Sequence, residues 1–267
     1  MLRRVSDVAF ADFDHPAAPS GAVNRVPEVT PGFWLIKLMA VTMGETAADF
    51  LAVNLGLGLG ITTILMTGAL IGAMIWQFRQ RAYVPAVYWT AVVMISIVGT
   101  LITDNMTDAF GIPLLDSTIG FTLALATTFA TWFAVERTLS IHEVFTFRRE
   151  TFYWLAILFT FALGTAVGDL ISEAFGVGFA STGVLFGLII ASLALGYFAL
   201  GLDGIWAFWL CYIFTRPLGA SFGDFLAQPA EFGGLGLGTT VTSLIFVAII
   251  AVTVVVMTIR RPAGATV

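Results

Sequence analysis

Seven acidic side chains fall inside long apolar stretches of this 267-residue chain, and their spacing is regular. An ionised carboxylate in a bilayer costs about 2.5–3.5 kcal/mol on insertion scales, so acids placed there usually face one another, water or a cation. Acids four residues apart share one face of a helix. The seven are Glu45 with Asp49, Asp104 with Asp108, Asp169 with Glu173, and Asp224, which has Gln228 four residues later.

The side chains near these acids narrow the chemistry to oxygen ligands. The single cysteine, Cys211, lies in an apolar run, and His15 and His142 lie outside the apolar segments. A zinc or copper site built on His and Cys is therefore disfavoured, whereas carboxylates suit Mg²⁺, Mn²⁺, Ca²⁺ or Na⁺. We predict that the seven acids hold a divalent metal cation. In the competing interpretation the aspartates lie at the outer membrane interface and cap helices or stabilise turns.

The acids belong to a motif that occurs four times. An aromatic residue and a tryptophan are followed ten residues later by glycine and, after five more, by aspartate. Copies one and two are 55 residues apart, as are copies three and four, and the two halves are offset by 120 residues. Such a fixed period indicates a duplicated architecture. The glycines, which predict close helix approach, are Gly44, Gly99, Gly164 and Gly219.

Composition places these repeats in a membrane. The chain is 58% hydrophobic and 11% charged, whereas soluble domains carry about 25% charged residues. We predict an all-α integral membrane protein with eight transmembrane helices, arranged as four parallel helical-hairpin repeats in two duplicated halves. Residues 1–30 should form a flexible cytoplasmic tail, 31–145 the first half and 146–262 the second. The predicted spans are 33–52, 59–79, 86–109, 115–136, 151–174, 179–200, 204–226 and 238–259.

Three further features have specific expected roles. The aromatic–tryptophan pairs should anchor the odd-numbered helices at the cytoplasmic interface. Lys37, one turn into the first span, should extend its ammonium group to that interface. Arg216 lies deeper, three residues before Gly219, and no other copy has a base there. We expect Arg216 to form an ion pair with an acid on another odd-numbered helix.

Three sequence runs resemble those of a family of uncharacterised bacterial multi-pass proteins described as "membrane-anchored". The resemblance covers residues 27–229 and implies a location in the bacterial inner membrane, but it implies no activity. The runs are Gly44-Glu45-Thr46-x-x-Asp49, Gly164-Thr165-x-x-Gly168-Asp169 and Thr215-Arg216-Pro217-Leu218-Gly219-Ala220-x-x-Gly223-Asp224.

The residues leave three functions open. The first is a transporter or channel for a small hard cation, with the bilayer and the cation as partners and no nucleic acid. The second is an intramembrane enzyme that uses carboxylates, although the chain has no HExxH motif. The third is a structural or signalling membrane protein without transport. We favour the first, because acids inside a membrane usually line a path or a site.

The topology can be tested directly. Arginines cluster in alternate turns, at Arg79, Arg81, Arg137, Arg148 and Arg149, and arginine-rich turns stay in the cytoplasm. Reporter fusions after residues 81, 145 and 262 should therefore all report a cytoplasmic location. An external signal at any of these three positions would contradict eight spans with both termini inside.

Overall fold

The structure, a computed structural model, describes residues 23–259. This part of the chain is all-helical, and its eight long helices match the eight predicted stretches in number and order. Pro31 and Pro85 begin α1 and α3, as expected for a residue that lacks an N–H and has a helical φ. The helices are α1 Pro31–Asp49, α2 Gly58–Phe78, α3 Pro85–Asp104, α4 Leu114–Glu136, α5 Phe147–Asp169, α6 Phe179–Leu200, α7 Gly204–Ala227 and α8 Thr239–Ile259.

The four odd-numbered helices form a closed inner ring in the order α1, α3, α5, α7 and back to α1. Each even-numbered helix packs outside the odd-numbered helix that follows it: α2 on α3, α4 on α5, α6 on α7, and α8 on α1. The predicted hairpin of two successive helices is thus repeated in the sequence, but its two helices do not form the main packing contact. The turn after each odd-numbered helix displaces the chain around the ring. The even-numbered helix that follows therefore packs against the next ring helix and not against the one that precedes it.

One contact, made four times, holds the ring together. A Cβ at Gly44 would lie 1.9 Å from Ser96 Oγ, and a Cβ at Gly164 would lie 2.1 Å from Arg216 Cγ. Gly99 meets Phe161 and Gly219 meets Val41 in the same way. Every contacted residue lies three positions before the glycine of its own helix, so the register is constant. Adding 120 to Gly44 and Ser96 gives Gly164 and Arg216, in agreement with the predicted relation between the halves.

The turns that follow three of the ring helices are also alike. Each is a five-residue π-helical segment, Phe50–Asn54, Asn105–Ala109 or Leu170–Ala174. Gly56 and its counterparts in the next two copies then adopt φ values of 68–69°, a conformation that favours glycine and ends helices. The fourth copy turns differently, through a short 3₁₀ segment at Ala230–Phe232.

The aromatic–tryptophan pairs lie inside the ring, and their predicted role as interfacial anchors is wrong. Phe33, Tyr88 and Tyr153 are 0% exposed, and Trp89 is 1% exposed. The Tyr88 and Tyr153 hydroxyl groups share a hydrogen bond between the neighbouring helices α3 and α5. Closing the ring brings the four helix starts together, so seven of the eight side chains are buried by their neighbours, and Trp34 is half-buried.

The outer surface is apolar in a way typical of membrane proteins. Six helices, all except α1 and α7, are long and apolar enough to cross a membrane by length and composition. In the most apolar part of α6 and of α8 only 11% of residues are buried, against 72% in α3. Exposed leucine, isoleucine and valine side chains thus surround a ring that buries threonines and charges. Six such helices, together with an apolar outer surface around a polar interior, indicate a membrane protein.

The predicted flexible tail is anchored in its last part. Arg25 forms an ion pair with Glu150 at 2.6 Å, Gln77 Nε2 donates to the same carboxylate at 2.9 Å, and Val26 is 4% exposed. Residues 23–30 therefore pack against the arginine-rich turns, because Glu150 is buried and needs a counter-charge. Residues 1–22 of the predicted tail and residues 260–267 lie outside the described residues.

The glycine contact predicts a position-dependent effect on stability. Gly44→Ala should lower the free energy of unfolding by about 1–3 kcal/mol, because the new methyl group overlaps Ser96. Gly72→Ala in α2 is the matched control, since a Cβ there meets nothing within 4 Å. It should be neutral or stabilise α2 by up to about 1 kcal/mol. Thermal unfolding of both variants in detergent measures the difference, and equal stability would contradict the close contact.

Candidate functional site

The four motif aspartates lie together at one end of the ring. Asp49, Asp104 and Asp169 are the last residues of α1, α3 and α5, each directly before a π-helical segment. Asp224 lies in the last turn of α7. Because π-helical segments are rare and occur often at functional sites, their recurrence beside three of these acids marks this end of the ring.

Exposure of the acids decreases from the end of the ring towards its middle. Asp108 and Glu173, one turn beyond the aspartates, are exposed. Asp49, Asp104 and Asp169 are half-buried, whereas Asp224 is 7% and Glu45 is 6% exposed. We call this arrangement the acidic cup: Asp108 and Glu173 at the mouth, the four aspartates as the wall, and Glu45 at the base.

The cup carboxylates act on one another electrostatically. Asp104 interacts with Asp49, Asp169 and Glu45, and Asp224 interacts with the same three acids. The structure therefore brings the four aspartates around one axis. None of the hydrogen bonds formed between residues 23 and 259 uses a carboxylate oxygen of these four aspartates, so their oxygens are available to a proton, a water molecule or a cation.

The cup is wide and is not a compact set of metal ligands. Within the described part of the chain, no three His, Cys, Asp or Glu side chains are grouped closely enough to hold a metal ion. Beside the mouth, between Glu173 and Gln228, lies an open pocket that Ser172 and Phe232 also line. An ion in the cup could therefore keep part of its water shell, as Mg²⁺ commonly does in proteins.

An ion pair closes the base of the cup. Arg216 Nη2 lies 2.8 Å from Glu45 Oε2, so the expected contact between Arg216 and an acid of another odd-numbered helix is present, between α7 and α1. Thr100 Oγ1 donates to the same Glu45 oxygen at 3.1 Å. Both members of the pair are buried, and a buried pair requires such extra hydrogen bonds to offset desolvation.

Each guanidinium nitrogen of Arg216 has at least one acceptor. Nη2 donates to Thr165 Oγ1 at 2.6 Å and to Thr100 Oγ1. Nε donates to the carbonyl oxygen of Phe161 at 3.3 Å and Nη1 to that of Val41 at 3.5 Å. The guanidinium group therefore bonds to α1, α3 and α5 while its own backbone belongs to α7.

The sequence contains a signal for this layer that the spacing of the aspartates alone does not show. The residue directly after the motif glycine contacts Arg216 in the first three copies, as Glu45, Thr100 and Thr165, and is Ala220 in the fourth. The positions of the aspartates alone predict no role for these two threonines. Aligning all four copies on the glycine would have placed Glu45 and the threonines at one depth, because the glycine contact sets the register.

Lys37 lies inside the ring, and the prediction that it extends to the interface is wrong. It is 0% exposed, its Nζ donates to the carbonyl oxygen of Tyr212 at 2.9 Å, and it lies 4.1 Å from the centre of the Tyr212 ring. The side chain cannot reach the interface, because α1 is enclosed by α3, α7 and α8.

Comparison with known proteins identifies the repeat. Four segments, residues 32–83, 87–138, 152–201 and 207–262, match the family described as Repeat of Unknown Function (DUF347). The chain belongs to this repeat family. Each DUF347 repeat contains one ring helix and the outer helix that follows it in sequence. No curated protein and no solved structure matches the chain, and the family description gives no activity, so the function must be argued from the site.

The buried pair predicts a large effect of removing one partner. Arg216→Ala should lower the free energy of unfolding by about 3–5 kcal/mol, because Glu45 would remain buried without a counter-charge. Arg148→Ala is the matched control, since Arg148 pairs with Glu136 but its side chain is 66% exposed. Its cost should be about 0–1 kcal/mol. Chemical or thermal unfolding in detergent checks both values, and a similar small loss in both would show that Glu45 does not depend on Arg216.

Proposed function

We propose that this DUF347 protein transports a small hard cation across a membrane and that the ion enters through the acidic cup. The observation that carries the proposal is the set of four repeated aspartates, which accept no hydrogen bond within residues 23–259. They stand at one end of a ring that the outer helices separate from lipid. Acidic residues inside a membrane protein more often bind or conduct ions than stabilise the fold.

The proposal places all eight helices across the bacterial inner membrane, with both termini in the cytoplasm. The arginine-rich turns between α2 and α3 and between α4 and α5 lie at the end of the ring that holds the aromatic pairs. By the positive-inside rule this end faces the cytoplasm. The acidic cup then opens to the outside. Lys37, Glu45 and Arg216 can lie at membrane depth in α1 and α7 because both helices belong to the shielded inner ring.

Charge and ligand type favour a cation, most readily a divalent one. Seven acids line the cup and its base, and Arg216 is paired with only one of them. A cleft with one sign of charge and low-dielectric walls attracts counter-ions and repels ions of its own sign. Carboxylate oxygens match Mg²⁺, Ca²⁺ and Mn²⁺, and a divalent ion offsets more of the surplus charge than Na⁺ does.

Ion flux into proteoliposomes tests the function. We expect uptake of at least one of Mn²⁺, Ca²⁺, Mg²⁺ and Na⁺, measured beside elemental analysis of the purified protein. Asp49→Asn and Asp169→Asn should each reduce uptake about tenfold or more, equal to about 1.4 kcal/mol of lost interaction with the ion. The amide is nearly isosteric, so both variants should still insert and fold.

The control for these variants is Asp116→Asn. Asp116 is an exposed acid in the first turn of α4, on the side of the molecule that holds the cup, and it is not part of the cup. Its substitution should leave uptake unchanged. If Asp49→Asn and Asp169→Asn bind and pass ions like the parent protein, the transport proposal fails, and a location at the outer membrane interface is the interpretation of the aspartates that remains.

A further inference from the structure

We propose that the Arg216 guanidinium is a built-in cation that closes the axial path of the ring, so that the protein does not conduct ions as an open pore. The inference rests on the proposed transport function and extends it, because it assigns the barrier that a transported ion must pass. Its basis is the position of one side chain relative to every wall of the ring.

Arg216 lies on the axis of the ring. Its side chain is 0% exposed and it bonds to each of the other three ring helices. The acceptors are the Val41 carbonyl oxygen and Glu45 on α1, Thr100 on α3, and the Phe161 carbonyl oxygen and Thr165 on α5. A side chain that starts on one ring helix and bonds to the other three spans the space between them. An ion that leaves the cup along the axis therefore meets the guanidinium group first.

A second barrier lies directly behind the first. The Phe161 ring lies 5.4 Å from the guanidinium carbon, and Lys37 Nζ lies 5.5 Å from the centre of the same ring. Lys37 and Arg216 also interact electrostatically. A cation moving inward from the cup therefore meets the Arg216 charge first and then the packed Phe161 ring and Lys37 amine, and like charges at short range repel strongly where water is excluded.

A single acid holds this barrier in place. Glu45 is the charged partner of Arg216, while its other partners are neutral hydroxyl and carbonyl oxygens, which form weaker hydrogen bonds. Glu45 also interacts electrostatically with all four aspartates of the cup. An ion bound in the cup would compete with Arg216 for Glu45 and so weaken the contact that keeps the path closed.

The helix that carries Arg216 has a built-in weak point beside it. Pro217 lies inside α7, and a proline there donates no hydrogen bond to the carbonyl four residues earlier. The corresponding positions three residues before the other motif glycines hold Val41, Ser96 and Phe161, so only α7 carries a charged residue at this position of the repeat. Local bending of α7 at Pro217 could therefore move Arg216 without opening the other three glycine contacts.

The test compares ion leak through variants with leak through the parent protein. The variant Arg216→Ala/Glu45→Ala removes both charges, which avoids a buried unpaired acid. In proteoliposomes with an outward Na⁺ or Mn²⁺ gradient, its leak should exceed that of the parent about tenfold or more, because the like charge on the axis is gone. Arg216→Lys keeps the charge and should leak little more than the parent. Ser96→Ala, at the equivalent position of α3, is the matched control and should behave like the parent.

The possible outcomes separate this barrier from the transport function. Equal leak in the parent and in the folded double variant would overturn the barrier, whether or not the parent transports ions. A parent that passes no ion under any gradient would refute transport, yet a leaking double variant would still support the barrier. If the alanine variant fails to fold in thermal unfolding, Arg216→Gln/Glu45→Gln keeps polar groups at both positions without charge, and the same comparison decides.

Discussion

The close approach of the ring helices at four glycines is the constraint on which the rest of the structure depends. Gly44, Gly99, Gly164 and Gly219 each receive the side chain that lies three residues before the glycine of the neighbouring helix. Because this contact repeats around the ring, it fixes the depth of every other layer. Small residues drive such packing in lipid, where apolar side chains gain little from avoiding the surrounding tails.

The layers that follow from this register have different chemistry. Aromatic rings fill the end of the ring that holds the arginine-rich turns, and Lys37 and Tyr212 lie next along the axis. Arg216 and Glu45 close the middle, and the aspartates surround the open end. The four repeats thus form a nearly symmetric scaffold. Charged residues that occur in only one copy make the middle of the ring asymmetric.

This arrangement of layers along the ring axis explains where the molecule can hold charged side chains. The cup is open at its mouth, where Asp108 and Glu173 are exposed, and its four aspartates form no hydrogen bond within residues 23–259. Arg216 is fully buried, and each of its guanidinium nitrogens has an acceptor on one of the other three ring helices. A cup open at one end and blocked at its base favours a carrier with a moving barrier over a permanently open pore, provided that ions are its substrate.

The sequence by itself was enough to predict eight helices, a duplicated architecture and the shared depth of the four aspartates, because spacing along a helix translates directly into position on its axis. It was also enough to predict that Arg216 would meet an acid, since an unpaired charge at that depth is costly. The tertiary structure decided which helix faces which. The outer helix that covers α1 is α8 and not α2, and ring closure buried Lys37 and the aromatic–tryptophan pairs that composition had assigned to the interface. These outcomes depend on contacts between segments far apart in the chain, and a period within the sequence carries no information about which faces meet.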